Sequence, residues 1–73
     1  MTHFLTQRRS ELGLSQGDLA LRLKCRGVNF SRQKISHWER GLRQPHLDEI
    51  DLAAIADALR WSRGELLAAM GSS

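Results

Sequence analysis

One cysteine, Cys25, stands in a chain of 73 residues, so no internal disulfide can form. No paired His/Cys spacing suggests a structural zinc either. The length lies near the lower limit for a core that folds without staples, so stability must come from packing. No apolar run approaches membrane-spanning length, and the opening MTHFLTQRR lacks a signal-peptide layout. The expectation is a soluble, cytoplasmic protein with a reduced thiol and no membrane partner, in which Cys25 is an ordinary loop residue. Strand-like alternation, internal repeats and low-complexity segments are also missing, which leaves helices. So are a nucleophile–base pair, a carboxylate pair, a metal-ligand set and a phosphate loop. Those absences argue against an enzyme, a bound metal and a cofactor.

Acidic residues are scarce in one half only. Residues 1–44 hold nine Lys/Arg against three acids (Glu11, Asp18 and Glu39), a net charge of +6. Residues 45–73 hold two against five, a net −3. A basic half joined to an acidic half suggests one surface built for a polyanion and another kept away from it. An ordinary solvated surface accounts for the charge equally well.

What is present is a recurring signal for helix starts. LSQGDL (14–19), FSRQKI (30–35) and WSRGEL (61–66) each place a serine after one apolar residue and four positions before another. That pattern makes Ser15, Ser31 and Ser62 N-caps, each closed by an apolar staple. Ser15 with Asp18, and Ser62 with Glu65, also complete capping boxes. A first helix is expected over about residues 2–12, ending at Gly13 in a left-handed cap. A second runs over about 16–24, burying Leu19, Ala20 and Leu23. The third covers about 32–40 and stops at Gly41, with Pro45 beyond. The fourth covers about 47–59, with Ile50, Ile55, Ala56 and Leu59 at helical spacing, and the fifth about 63–70. The fold class is all-α: five short helices in one domain over 1–70, with 71–73 a short tail. His3 and His46 read as solvated.

The third helix, in SRQKISHWER (31–40), has an unusual surface. Only Ile35 and Trp38, three apart, suit a core. Arg32, Gln33, Ser36, His37 and Arg40 gather on the opposite face, rich in hydrogen-bonding groups.

The string LGLSQGDLALRL, followed by FSRQKISHWERGLRQP and a late LAAIADAL and SRGELL, closely resembles the Cro/repressor-type helix-turn-helix family, also called XRE or lambda-repressor-like. The resemblance spans Leu5 to Leu67. It implies a compact five-helix domain whose second and third helices form the helix-turn-helix, with the third lying in the DNA major groove. Under that reading the polar face of the third helix meets base edges. An arginine fork matches guanine O6 and N7, and a glutamine amide matches adenine N6 and N7. Residues near the start of a recognition helix reach deepest, which selects Arg32 and Gln33, then Ser36 and His37 one turn later. Lys34 and Arg40 flank that face and suit phosphates, as does Ser31 at the helix start. Gln16 matches the family position that bonds a phosphate and braces the reading helix. Arg43 corresponds to the loop that approaches the sugar–phosphate backbone. Arg9 and Glu39 match positions that form an ion pair between the first and third helices.

Three departures stand out. KCRGVNF (24–30) makes a longer connector than the usual turn of about 3–4 residues. Leu21 sits where the family keeps a polar residue, so Val28 or Phe30 is expected to fold over it, an exposed partner patch being the alternative. HLDEIDLAAIADAL is longer than the common form and suggests a lengthened fourth helix.

The function expected is a sequence-specific, double-stranded-DNA-binding transcriptional regulator, a Cro-like repressor that occupies a palindromic operator and is associated with the nucleoid. Nothing at this length remains for an inducer pocket, so no small-molecule ligand is expected. A single reading helix covers too few base pairs to select an operator, which argues for a two-fold homodimer. Its interface is expected toward the acidic half, on Leu42, Leu66, Leu67 and Met70, although the core competes for these, above all for Leu66. From another class, the alternative is the antitoxin half of a toxin–antitoxin pair, binding a toxin protein and autoregulating its operon.

Overall fold

The computed structural model describes residues 3–42 and 45–71. Its five helices are α1 (Phe4–Leu12), α2 (Gln16–Cys25), α3 (Arg32–Glu39), α4 (Glu49–Ala58) and α5 (Arg63–Gly71), and no strand occurs among the described residues. The fold is all-α. Among the described residues no helix is long and apolar enough to cross a membrane.

The helix starts follow the serine pattern. Ser15 Oγ accepts from the Asp18 amide at 3.0 Å, and Asp18 returns the bond to the Ser15 amide at 3.0 Å. Ser62 and Glu65 do the same at 3.1 and 2.9 Å, and Ser31 Oγ accepts from the Lys34 amide at 3.1 Å. α1 starts later than expected because His3 is its cap: His3 Nδ1 accepts from the Leu5 amide at 3.2 Å. Far from being solvated, the His3 ring stacks on Phe4 and meets Trp38 edge-on at 5.9 Å between centroids. His46 is exposed. α4 also starts later than expected, at Glu49, because Asp48 and Asp51 form a third capping box. The residues of that segment before Glu49 lie outside the helix.

Helix ends are closed in one recurring way. After α1, α2 and α3 the chain turns through Gly13, Gly27 and Gly41 at φ +70, +83 and +73°, where glycine carries no steric penalty. After α2 the Val28 amide bonds the Leu23 carbonyl at 2.9 Å and the Gly27 amide that of Lys24 at 3.0 Å, the paired bonds of a Schellman turn. α4 closes with the same pair of bonds, Trp61 to Ala56 at 2.8 Å and Arg60 to Asp57 at 3.1 Å. There the left-handed position is held by Arg60, φ +56°. Arg8 supports this corner, its Nε donating to the Leu59 carbonyl at 2.9 Å and its Nη2 to the Arg60 carbonyl at 3.3 Å.

Leu5, Leu19, Leu23, Ile35, Ile55, Leu59 and Leu66 are the largest fully buried side chains, joined by Val28, Phe30 and Trp38. α2 packs between α3 and α4, α4 carries α5, and α1 rests on α3. The connector is thus part of the core, with Val28 and Phe30 turned inward. Neither covers Leu21, which is 62% exposed, so that expectation is corrected. Ala20 is only half-buried, and Cys25 ends α2 on the surface instead of lying in a loop. Ile50 is 69% exposed. At about 100° per residue it lies about 40° to one side of Ala54, at the edge of the buried stripe. Gly71 belongs to α5, not to a tail, and Ser72 and Ser73 lie outside the described residues.

Candidate nucleic-acid interface

α3 is fixed to the domain by one face and one end. Ile35 and Trp38 enter the core, Phe4 and Phe30 meeting the Trp38 ring edge-on at 5.6 and 6.5 Å. At the C-terminal end, Glu39 is drawn inward until its side chain is 6% exposed. Arg9 grips it with a two-pronged pair, Nε to Oε2 at 2.7 Å and Nη2 to Oε1 at 2.8 Å. Thr6 Oγ1 and Gln16 Nε2 also donate to Oε1, each at 3.0 Å. Arg9 Nη1 closes the cluster on the Leu14 carbonyl at 2.8 Å. α1, the α1–α2 turn, the start of α2 and the end of α3 are therefore locked around one carboxylate.

Burial alone would push the Glu39 carboxyl up, but the hydrogen bonds from Arg9, Gln16 and Thr6 outweigh it and hold the group below its ordinary value. The same pairing raises Arg9 above its ordinary value, so both remain charged. The family resemblance pairs Arg9 with Glu39 and makes Gln16 a brace of the reading helix, whereas the Gln16–Glu39 bond, Thr6 and the Leu14 carbonyl carry no sequence signal.

The opposite face of α3 is open. Arg32, Gln33, His37 and Arg40 are exposed and, among the described residues, make no side-chain hydrogen bond or salt bridge. Ser36 lies on the same helix but is half-buried. The stem of Arg32 runs beside the start of α2, its Cδ 3.9 Å from where a Cβ on Gly17 would sit. Lys34 leans back toward the connector, with Nζ 4.3 Å from the centre of the Phe30 ring, a cation–π contact. Ser31, the cap, is exposed at the N-terminal end of α3, and Gln16 is half-buried at that of α2. Arg43 lies outside the described residues.

The remaining basic side chains of the N-terminal half are largely committed to the fold. Arg8 bonds Glu11, the two corner carbonyls and, at 5.1 Å from the ring centre, Trp61. Arg22 reaches the Ala58 carbonyl at 3.4 Å, and Arg26 pairs with Asp57 while bonding the Arg22 carbonyl. The charge excess of that half therefore overstates the free positive surface, which concentrates on α3. Among the described residues no group of three His, Cys, Asp or Glu is placed to hold a metal.

The apolar surface also needs correcting. Leu66 is fully buried and is a core residue, unable to form an interface. Met70 is half-buried against the core, while Leu42 and Leu67 are 68% and 45% exposed.

An exposed polar helix, preceded by a helix that shares its anchoring carboxylate, is the arrangement that a helix-turn-helix presents to DNA. A family model described as a helix-turn-helix domain matches residues 1–70. No curated protein and no solved structure matches the chain. With nearly its whole length matched and the paired helices in place, the chain belongs to the helix-turn-helix domain family of DNA-binding proteins.

Proposed function

We propose that this protein is a sequence-specific regulator of transcription, a Cro-like repressor that binds a near-palindromic operator as a homodimer in the cytoplasm. One observation carries the reading: the solvent face of α3 holds Arg32, Gln33, His37 and Arg40 without a side-chain hydrogen bond or salt bridge among the described residues, while neighbouring arginines are used up by the fold. Arg32 and Gln33, in the first turn, read base edges, and Ser36 and His37 extend the contact by one turn. Gln16, Ser31, Lys34, Arg40 and Arg43 hold the backbone. Leu42 and Leu67, the exposed survivors of the expected interface, are its candidates for pairing two copies.

Selection of bound sites from random duplex DNA tests this reading, and it should return a motif with two-fold symmetry and half-sites about 10–10.5 base pairs apart. Binding should also weaken with salt, about a thousandfold between 50 and 200 mM for roughly six phosphate contacts. No enrichment, with a flat salt dependence, would refute it. A second reading, an antitoxin that also holds a protein toxin, draws support from Ile50, which with Ala53 and Ala54 lines a groove bordered by Arg26, Glu49 and Asp57. Co-purification with the product of a neighbouring gene, lost in Ile50→Asp, is its test.

A further inference from the structure

We infer that Thr6 is a positioning residue for the DNA contact: its hydroxyl orients the Glu39 carboxylate, and that carboxylate fixes the Gln16 amide. The inference rests on the DNA-binding reading above. Among the described residues, Glu39 Oε1 accepts from three groups, Thr6 Oγ1 at 3.0 Å, Arg9 Nη2 at 2.8 Å and Gln16 Nε2 at 3.0 Å, whereas Oε2 accepts from Arg9 Nε alone. An ionised carboxylate oxygen offers about two lone-pair directions, so three donors on Oε1 constrain one another. The Arg9 fork supplies both oxygens from a single plane. Thr6 and Gln16 approach Oε1 from α1 and α2 and fix the orientation that the fork leaves soft.

The consequence falls on Gln16. An ionised carboxylate only accepts, so it selects the NH₂ end of the amide, not the carbonyl. One N–H is then spent on Glu39, and its twin is left for a phosphate oxygen at the start of α2, where the helix end also favours an anion. Without the Thr6 hydroxyl, Oε1 follows the Arg9 fork and Gln16 loses its fixed acceptor. A β-branched threonine in the first turn of α1 has no helix-propensity advantage, and the hydroxyl gives it a use here.

Thr6→Val keeps the shape and removes the donor, while Thr6→Ser keeps the donor. Thr6→Val should bind the selected duplex about tenfold more weakly, the scale of one hydrogen bond to a charged group. Its Gln16 side-chain amide resonances should shift in the free protein. The acid midpoint of binding should move to higher pH, because Glu39 loses one of the bonds that hold its carboxyl down. Thr6→Ser should match wild type in all three. Thr6→Val with wild-type affinity, amide resonances and acid midpoint would overturn the inference. Should Thr6→Val not fold, the wild type decides by NMR. A slowly exchanging Thr6 hydroxyl proton that titrates together with the Gln16 amide and the Glu39 carboxyl supports the chain of contacts, and independent titrations overturn it. If wild type binds no duplex, the DNA-binding reading falls, and the same resonances still decide whether Thr6 positions Gln16.

Discussion

Replacing Arg9 by alanine should be among the most damaging changes this domain can receive. The substitution removes two charge-assisted bonds to Glu39, at 2.7 and 2.8 Å, and one to the Leu14 carbonyl. It leaves a carboxylate only 6% exposed, with Thr6 and Gln16 as its remaining donors. Breaking one side of a buried ion pair costs about 3–5 kcal/mol. Arg9 itself is 14% exposed and two neutral donors remain, so the lower end, about 3 kcal/mol, is expected. For a chain of this length total stability is roughly 4–11 kcal/mol, so the loss is a large fraction of it. The melting temperature should fall by about 12–24 °C, at about 4–8 °C per kcal/mol.

The pH dependence gives the stricter test. In wild type the Glu39 carboxyl lies below its unfolded value. Its contribution is therefore complete above about pH 4.3 and lost as pH falls through the folded value. In Arg9→Ala burial dominates and raises the carboxyl above its unfolded value. Protonation then relieves the variant as pH falls from that raised value to about 4.3, and wild type loses its contribution below about 4.3, so the gap should narrow on acidification through both windows. Urea denaturation followed by circular dichroism across that range measures both quantities. Wild-type stability in the variant, or a gap that does not change with pH, would refute the reasoning.

Arg32→Ala and Gln33→Ala should each cost about 1–3 kcal/mol on the selected site and relax one base preference, whereas Arg43→Ala should weaken all sequences alike; binding arrays with scrambled duplexes separate the two patterns. Leu66→Ala should destabilise the fold by about 2–5 kcal/mol, because the side chain is fully buried. Leu67→Glu should leave the melting temperature nearly unchanged and weaken dimer formation in sedimentation; an unaltered association constant would remove Leu67 from the interface. Burial lowers the His3 imidazole below its ordinary value, against a smaller opposing pull from Glu39. The stability from the α1 cap should thus be complete above about pH 6.5 and fall on acidification through the folded value, a dependence that His3→Asn should abolish.

The local signals that were legible are those in which one residue satisfies its own neighbours. Serine caps and left-handed glycines act within a few positions, so Ser15, Ser31, Ser62, Gly13 and Gly41 set helix limits with little help from tertiary structure. Asp48 obeys the same rule, with Leu47 before it and Leu52 four positions after, because an aspartate caps as serine does. The exposed face of α3 could likewise be read from the spacing of Ile35 and Trp38. What spacing could not supply was the identity of each neighbour. Ile50 matched the helical period yet faces solvent. Leu66 looked available until α4 closed over it, and Thr6 acquires meaning only through a carboxylate 33 positions away. The charge of the basic half was equally misleading as a map, because arginines serve carbonyls as readily as they serve phosphates.

Two adjacent residues of α1 point to different ends of the molecule. Arg9 holds Glu39, 30 positions on, and Arg8 holds the carbonyls of Leu59 and Arg60, 51 and 52 positions on. Within this domain α1 is made before its partners, and the acceptors of Arg8 follow about twenty residues after the partner of Arg9. A nascent chain that has reached Glu39 can seat Arg9 but must leave Arg8 idle, and the α4–α5 corner remains unsupported until its own residues emerge. The domain is therefore built to complete its folding only when nearly all of it is outside the ribosome. A chain cut short before Leu59 would present the ribosome-associated quality-control machinery with an unfinished protein, not a smaller working one.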